Sequence, residues 1–437
     1  MAGVPPIRIK EVVLVKPAEP TPGHVLQLST LDSQLFLRFT IEYLLVFHPS
    51  RTSSQNAVAS TLKRALAKAL VPYYPLAGRV RLSPDGSGLE VACQAQGAAF
   101  VLASSEHHTR QDFQEAPRHV AEWRHFLSLH VADVLRGAPP VVIQLTWLKD
   151  GAAVLGVGIS HCLCDGVGSG EFLNKVAESA RSHLGQTQPK PNPIWSRHLL
   201  NPNKITGTSS LSRHPEFNWV SDVSGSFSSR FAEDELVPTS VTLSKTFLNE
   251  LKRVEATHFT TFEVLSAHIW TSWVRALRLP PTQETKLLFS VNIRDRLRPS
   301  LPAGYYGNAF VLGCAQATVE ELEGKGLGFG STLVKAAKER VDDGHVRSLV
   351  ELLSRRRASC PDSVGALVMT QWSRLGLDKV DFGMGRAFHV GPVCCDRYCL
   401  ILPGAADDRS EGGVRVMVAV PASGVARYEY LVKNPFS

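Results

Sequence analysis

The chain has 437 residues, enough for two or three domains that each bury a core. Hydrophobic residues make up 44% and charged residues 20%, the balance of an ordinary soluble protein, and no apolar run reaches the length of a bilayer span. The net charge of +7 comes from lysines and arginines scattered without interleaved aromatics, which argues against a nucleic-acid partner.

Residues 1–10 lack the apolar core of a secretory signal, and the closing Asn-Pro-Phe-Ser matches no address or lipidation signal. The eight cysteines show no paired zinc spacing, so reduced thiols and a cytoplasmic location are expected.

In chain order, 11–15 and 35–47 read as strands. Residues 55–70 carry apolar side chains at spacings of three and four, an amphipathic helix stopped by Pro72. Pro-Asp-Gly-Ser-Gly at 84–88 signals a hairpin. Residues 141–147 and 152–159 read as strands and 171–184 as a helix. The Pro-, Asn- and Ser-rich stretch 186–212 is the candidate connection between two domains. Beyond it, Thr260-Thr261-Phe262-Glu263 is a capping box opening a helix to about Leu277, and 286–292 reads as a strand. A glycine-rich loop at 324–330 then precedes a helix from Ser331 to Val341. Cys395 and Cys399 with His389 could be imagined as metal ligands, but 393–400 also reads as a strand, and no metal is expected. Helices and strands in both halves argue for an α/β or α+β fold of two similar domains.

The chemistry-bearing stretch is 158–170, Gly-Ile-Ser-His-Cys-Leu-Cys-Asp-Gly-Val-Gly-Ser-Gly. It contains the match His161-x-x-x-Asp165, and a second match occurs at His108 and Asp112. With 15 histidines, about one such match arises by chance. Context separates the two: His161 emerges from the apolar run 152–159 into a glycine-rich turn, whereas His108 sits in a polar stretch and reads as a solvated surface residue. The glycines at 166, 168 and 170 argue against a helix there, so His161 and Asp165 are not expected to share a helical face. If 160–164 is extended, His161 points away from Cys162 and Cys164, and nothing nearby lowers the pKa of either thiol. No phosphate-binding or dinucleotide-binding glycine motif is present, which leaves kinases and dinucleotide enzymes without support.

Several segments together resemble one family, the plant acyl-CoA-dependent acyltransferases known as BAHD. They are Leu28-Ser29-Thr30-Leu31-Asp32, Tyr74-Pro75-Leu76-Ala77-Gly78-Arg79, His161 with Asp165 and Gly166, and 260–270. Asn292-Ile293-Arg294-Asp295-Arg296, Gly304-Tyr305-Tyr306-Gly307-Asn308, Thr370-Gln371-Trp372 and Asp381-Phe382-Gly383-Met384-Gly385 follow in the family's order. Met384 departs from the pattern, which usually has Trp there.

The resemblance implies two chloramphenicol-acetyltransferase-like domains, each a mixed sheet flanked by helices, with a channel between them. The expected division is 1–190, a crossover linker 191–215, and 216–437 carrying the Asp381–Gly385 segment, with some late strands packing on the first domain. His161 is expected to be the general base, a role that suits an imidazole near working pH. A thioester needs no covalent activation, so acyl-CoA acts as co-substrate and no permanently bound cofactor is expected. Asp165 is expected to turn from the site and pair with Arg294. Thr370 and Trp372 are candidates for oxyanion or acceptor positioning, and Asp381, Phe382, Gly383 and Gly385 for shaping the fold. Thr260 and Thr261, at a helix N-terminus, are candidates for meeting coenzyme A. The expected protein is a monomer moving an aromatic or hydroxycinnamoyl group to an alcohol. An amine acyltransferase and a non-catalytic partner in wax elongation stay open as alternatives.

Overall fold

The computed structural model describes residues 7–49, 54–86, 88–129, 134–181, 191–202, 214–254, 259–356, 360–396, 398–404 and 413–435. Most of the linker expected at 186–212 lies outside them. The first half runs β1 (Arg8–Val15), β2 (Val25–Gln27), β3 (Thr40–Phe47), α1 (Gln55–Ala69), β4 (Arg79–Leu82), β5 (Leu89–Ala92), β6 (Ala98–Ser104), β7 (Val141–Trp147), β8 (Ala153–Ser160) and α2 (Gly166–Arg181). Ser54 caps α1 by accepting from the Ala57 N–H, and Val58, Ala59, Leu62, Ala65, Leu66 and Ala69 form its buried face. The strand expected over 35–47 starts late. Leu35–Leu37 close a 3-10 turn, with Leu37 and Arg38 N–H donating to Gln34 and Leu35 carbonyls.

The glycine run at 166–170 is the first turn of α2, not a loop. Glycine costs about 1 kcal/mol per helical position relative to alanine, and tertiary packing overrides that here. A Cβ at Gly168 would lie 2.0 Å from the Tyr306 carbonyl oxygen, so only glycine lets α2 press against the 304–308 segment. Asp165 caps the helix, accepting from the Gly168 N–H at 2.9 Å.

The second half runs α3 (Ser226–Glu233), β9 (Leu236–Leu243), α4 (Lys245–Val254), α5 (Thr261–Leu277), β10 (Glu284–Asn292), β11 (Phe310–Thr318), α6 (Val319–Gly324), α7 (Gly326–Glu339), α8 (Asp343–Arg355), β12 (Ala366–Gln371), β13 (His389–Pro392), β14 (Cys399–Pro403), β15 (Val414–Pro421) and α9 (Val425–Lys433). The Thr260–Glu263 capping box opens α5, whose Val264, Leu265, Ile269, Trp270, Trp273 and Val274 are all buried, the pattern of a core helix. The loop expected at 324–330 is largely helix, because α7 begins at Gly326 and Ser331 lies inside it, its hydroxyl donating to the Leu327 carbonyl. The stretch 393–400 is mainly the connection between β13 and β14, pulled off the ladder where the Cys395 N–H donates to the Val120 carbonyl.

Among the described residues two mixed six-stranded sheets result, ordered β1-β6-β7-β8-β3-β13 and β11-β10-β12-β14-β15-β9, with a small sheet β2-β5-β4 beside them. β13 crosses back to pair antiparallel with β3, and Phe382 and Met384 are buried in the first core, not the second. The Asp381–Gly385 segment, expected in the second domain, therefore packs on the first: Phe382 meets Phe47 of β3 edge-to-face at 6.1 Å. Among the described residues, no helix is long and apolar enough to cross a membrane.

Candidate active site

His161 leaves the end of β8, held by its N–H donating to the Phe39 carbonyl at 2.9 Å. Residues 161–163 form a turn, not the extended run expected from sequence. The imidazole lies between the Phe39 and Phe310 rings, at centroid distances of 5.1 and 5.7 Å. Phe310 begins β11, so the ring stands where the two large sheets meet.

Asn308 orients the imidazole. Its Nδ2 donates to the His161 carbonyl at 2.6 Å and to Asp32 Oδ1 at 2.8 Å, which uses both amide protons. Asn308 Oδ1 is thus an acceptor, 2.9 Å from His161 Nδ1. The network assigns the proton to Nδ1 and leaves the Nε2 lone pair free of protein partners among the described residues. Burial lowers the His161 pKa below its ordinary 6.5, against smaller opposing contributions that include Asp165 and Asn308, so the ring is neutral at neutral pH.

Asp32 anchors this arrangement. It is fully buried and accepts from Ser29 N–H and Oγ at 3.0 and 2.6 Å, and from Asn308 N–H at 3.0 Å. Its remaining charge faces Arg197 at 3.5 Å. The buried Arg197 guanidinium donates to the Leu163 carbonyl at 2.6 Å and lies 4.4, 5.2 and 4.9 Å from the rings of Trp195, Tyr305 and Tyr306. A Cβ at Gly307 would sit 1.1 Å from an Arg197 nitrogen, so glycine there makes room for the cation. Sequence reasoning assigned no role to Asp32, Arg197 or Asn308. The only available signal was that Asp32 and Asn308 end two of the family-like segments.

Asp165 turns away from the imidazole. Arg294 donates to both carboxylate oxygens at 2.9 Å, and Gly168 and Ala309 N–H donate at 2.9 and 3.1 Å. Burial disfavours this charge, yet Arg294 and the two N–H groups hold the carboxyl below its ordinary range. Arg294 also donates to the Tyr305 and Gly307 carbonyls, tying the 304–308 segment to the start of α2.

The other expected residues are placed less directly. Thr370 is the penultimate residue of β12, with its hydroxyl 3.1 Å from Ser290 Oγ, and Trp372 lies against Tyr43 at 4.8 Å. Leu375, three residues on, lies against Gly166 and Gly170, so this segment covers the start of α2. Asp381 Oδ1 accepts from Gly383 and Gly385 N–H at 2.8 and 3.0 Å; both glycines have positive φ, so this loop is knit internally. At Thr260 the anionic group is the chain's own Glu263, which accepts from the Thr260 N–H and pairs with Lys338. Cys162 and Cys164 are both buried; burial pushes the first up to about 12 and raises the second further, so neither is a thiolate at neutral pH. His108 is half-buried, not solvated: its Nδ1 meets Ser105 Oγ at 2.8 Å and its ring packs on His125 and Phe126.

The sequence matches the family described as "Transferase family" over residues 6–430. Fatty alcohol:caffeoyl-CoA acyltransferase of Arabidopsis thaliana is 33% identical over 425 residues, 96% of each chain. Benzyl alcohol O-benzoyltransferase of Petunia hybrida is 31% identical, covering 97% of this chain and 92% of its own. The crystal structure of vinorine synthase superposes with a TM-score of 0.74 at 20% identity, over 97% of this chain and 96% of that one, a likeness of fold.

Proposed function

Since the chain belongs to the Transferase family, the BAHD acyltransferases, and is an acyl-CoA-dependent O-acyltransferase, we propose that His161 is its general base and that it moves an aromatic acyl group from coenzyme A to an alcohol. The observation that carries the reading is the free Nε2 lone pair of a neutral imidazole whose other nitrogen is committed to Asn308. The acceptor hydroxyl gives its proton to Nε2 as its oxygen attacks the thioester carbonyl. The tetrahedral intermediate collapses by breaking the C–S bond, and the imidazolium returns the proton to the departing thiolate. With no thiolate available at Cys162 or Cys164, both substrates are bound together and no acyl-enzyme forms. Thr370, with Trp372 beside it, is the donor side we assign to the oxyanion.

The caffeoyl and benzoyl groups in the relatives' names support an aromatic donor, and their alcohol acceptors support O-acylation. A free-thiol release assay tests this, scanning acyl-CoA donors against a panel of alcohols and amines. Turnover fastest with aromatic donors and alcohols is expected. Faster turnover with amines, or none with any alcohol, would overturn the reading.

A further inference from the structure

Away from His161, three titratable side chains converge in the second half of the chain. His214 and Glu216 flank Pro215 at the 3-10 turn Pro215–Phe217, and both are buried. His345 lies in the first turn of α8, where its N–H donates to Asp342 at 2.7 Å. His214 Nδ1, Glu216 Oε1 and His345 Nε2 lie within 4.8 Å of one another. All three atoms are buried, and none has a hydrogen-bond partner. Other such atoms occur elsewhere in the structure; three facing each other point to a group that would satisfy them together.

The chemistry of the set favours a cation. His214 Nε2 lies 3.1 Å from Ser348 Oγ, a partner that can take its N–H and so aim the Nδ1 lone pair at the cluster. Nδ1 stands 3.4 Å from Glu216 Oε1, where two acceptors would repel without a positive species between them. Burial and the neighbouring His214 lower the His345 pKa, which favours the neutral, ligating form of that ring. The backbone is fixed beneath: the Asp362 N–H donates to the Glu216 carbonyl at 2.9 Å, and the Phe217 N–H to the His214 carbonyl at 3.1 Å. A cleft of about 670 Å3, lined among others by Pro215, Arg340, His345 and Ser348, gives a path inward. Arg340, the nearby cation, is engaged with the Cys314 carbonyl at 2.7 Å.

We propose that His214, Glu216 and His345 bind one zinc-class divalent cation, with a water from the cleft as fourth ligand, stapling the chain at 214–217 to α8. Two imidazoles and a carboxylate form a set suited to zinc, whose bonds of about 2.0–2.1 Å place tetrahedral ligand atoms about 3.4 Å apart. The His214–Glu216 pair already stands at that spacing, and rotation of the His345 ring closes the rest.

The test uses the full chain, stripped with chelator and titrated with zinc chloride, with bound metal measured by mass spectrometry after gel filtration. Cobalt(II) loading is followed in parallel by visible absorption. One equivalent of zinc, a melting temperature raised by zinc, and a tetrahedral cobalt spectrum are expected. His345→Ala should weaken binding about a hundredfold or more, and Ser348→Ala, through the orientation of His214, about tenfold. If His345→Ala fails to fold by circular dichroism, His345→Gln takes its place. Acyl transfer at saturating substrates should not change in either variant. Zinc bound no better by wild type than by the His345 variant, or by Glu216→Gln as well as by wild type, would overturn the site.

Discussion

His161 Nδ1 and Asn308 Oδ1 lie 2.9 Å apart, and because both Asn308 amide protons are committed to Asp32 and the His161 carbonyl, the imidazole is held in one tautomer. The base comes from the end of β8 and its orienting group from the approach to β11, so this hydrogen bond is one of several, with those of Arg294 to Asp165 and Asn308 to Asp32, that join the two halves of the chain.

His161→Ala should lower kcat by a hundredfold or more, on the order of a missing general base, with the melting temperature little changed. Asn308→Ala should also lower kcat, by about a hundredfold, because a free ring samples the wrong tautomer. It should lower the melting temperature too, since Asp32 loses the Nδ2 donor and the His161 carbonyl loses its partner. Steady-state kinetics with circular dichroism checks both; an unchanged kcat in Asn308→Ala would remove the orienting role.

The acid limb of kcat/KM should reflect His161. A base must be neutral to accept a proton, and burial lowers this pKa below 6.5. Activity should therefore rise with pH through a midpoint below 6.5 and stay flat through neutrality. A midpoint clearly above 6.5 would mean that a carboxylate stabilises the imidazolium, contrary to the outward turn of Asp165.

Asp165→Asn should act first on stability. The mutation leaves Arg294 without its buried counter-charge, a loss of about 3–5 kcal/mol. The sign with pH follows from a folded pKa lower than the ordinary 3.8. The stabilisation is complete above the unfolded value and disappears as pH falls through the folded one. Wild type should lose this increment in acid and Asp165→Asn should not, as acid-unfolding curves would show. A variant with wild-type stability but no turnover would make Asp165 a partner of the base.

Cys162→Ala and Cys164→Ala should retain most activity, because burial keeps both thiols protonated. Initial rates should give intersecting double-reciprocal lines. Parallel lines, or acyl mass on the protein after exposure to donor alone, would move catalysis to a thiol.

Thr370→Val should lower kcat by about a hundredfold if its hydroxyl faces the oxyanion, while Ser290→Ala, which removes only its neighbour, should cost much less. Equal and small effects of the two would leave Thr370 as a packing residue.

Local chemistry was readable along the chain. The α1 periodicity, the Pro84–Gly88 hairpin, the capping box at Thr260 and the apolar run of β8 were legible because each depends on residues within a few positions of one another. Where reading failed, a distant partner had overruled the local signal. Gly166, Gly168 and Gly170 look like a turn, yet they open a helix that Tyr306 and Leu375 pack against closely. Asp381–Gly385 belongs to the first core only because Phe382 reaches Phe47.

By itself the sequence determined the local elements, the family-like segments and the candidate base. It could not determine which nitrogen of His161 carries the proton, since that depends on Asn308, 147 residues away. Nor could it show the charges of Asp32 and Arg197 meeting beneath the site, 165 residues apart. A hydrogen bond or buried ion pair acts over about 3–4 Å of space whatever the separation along the chain. Only the joining of the two sheets brings these groups within that range.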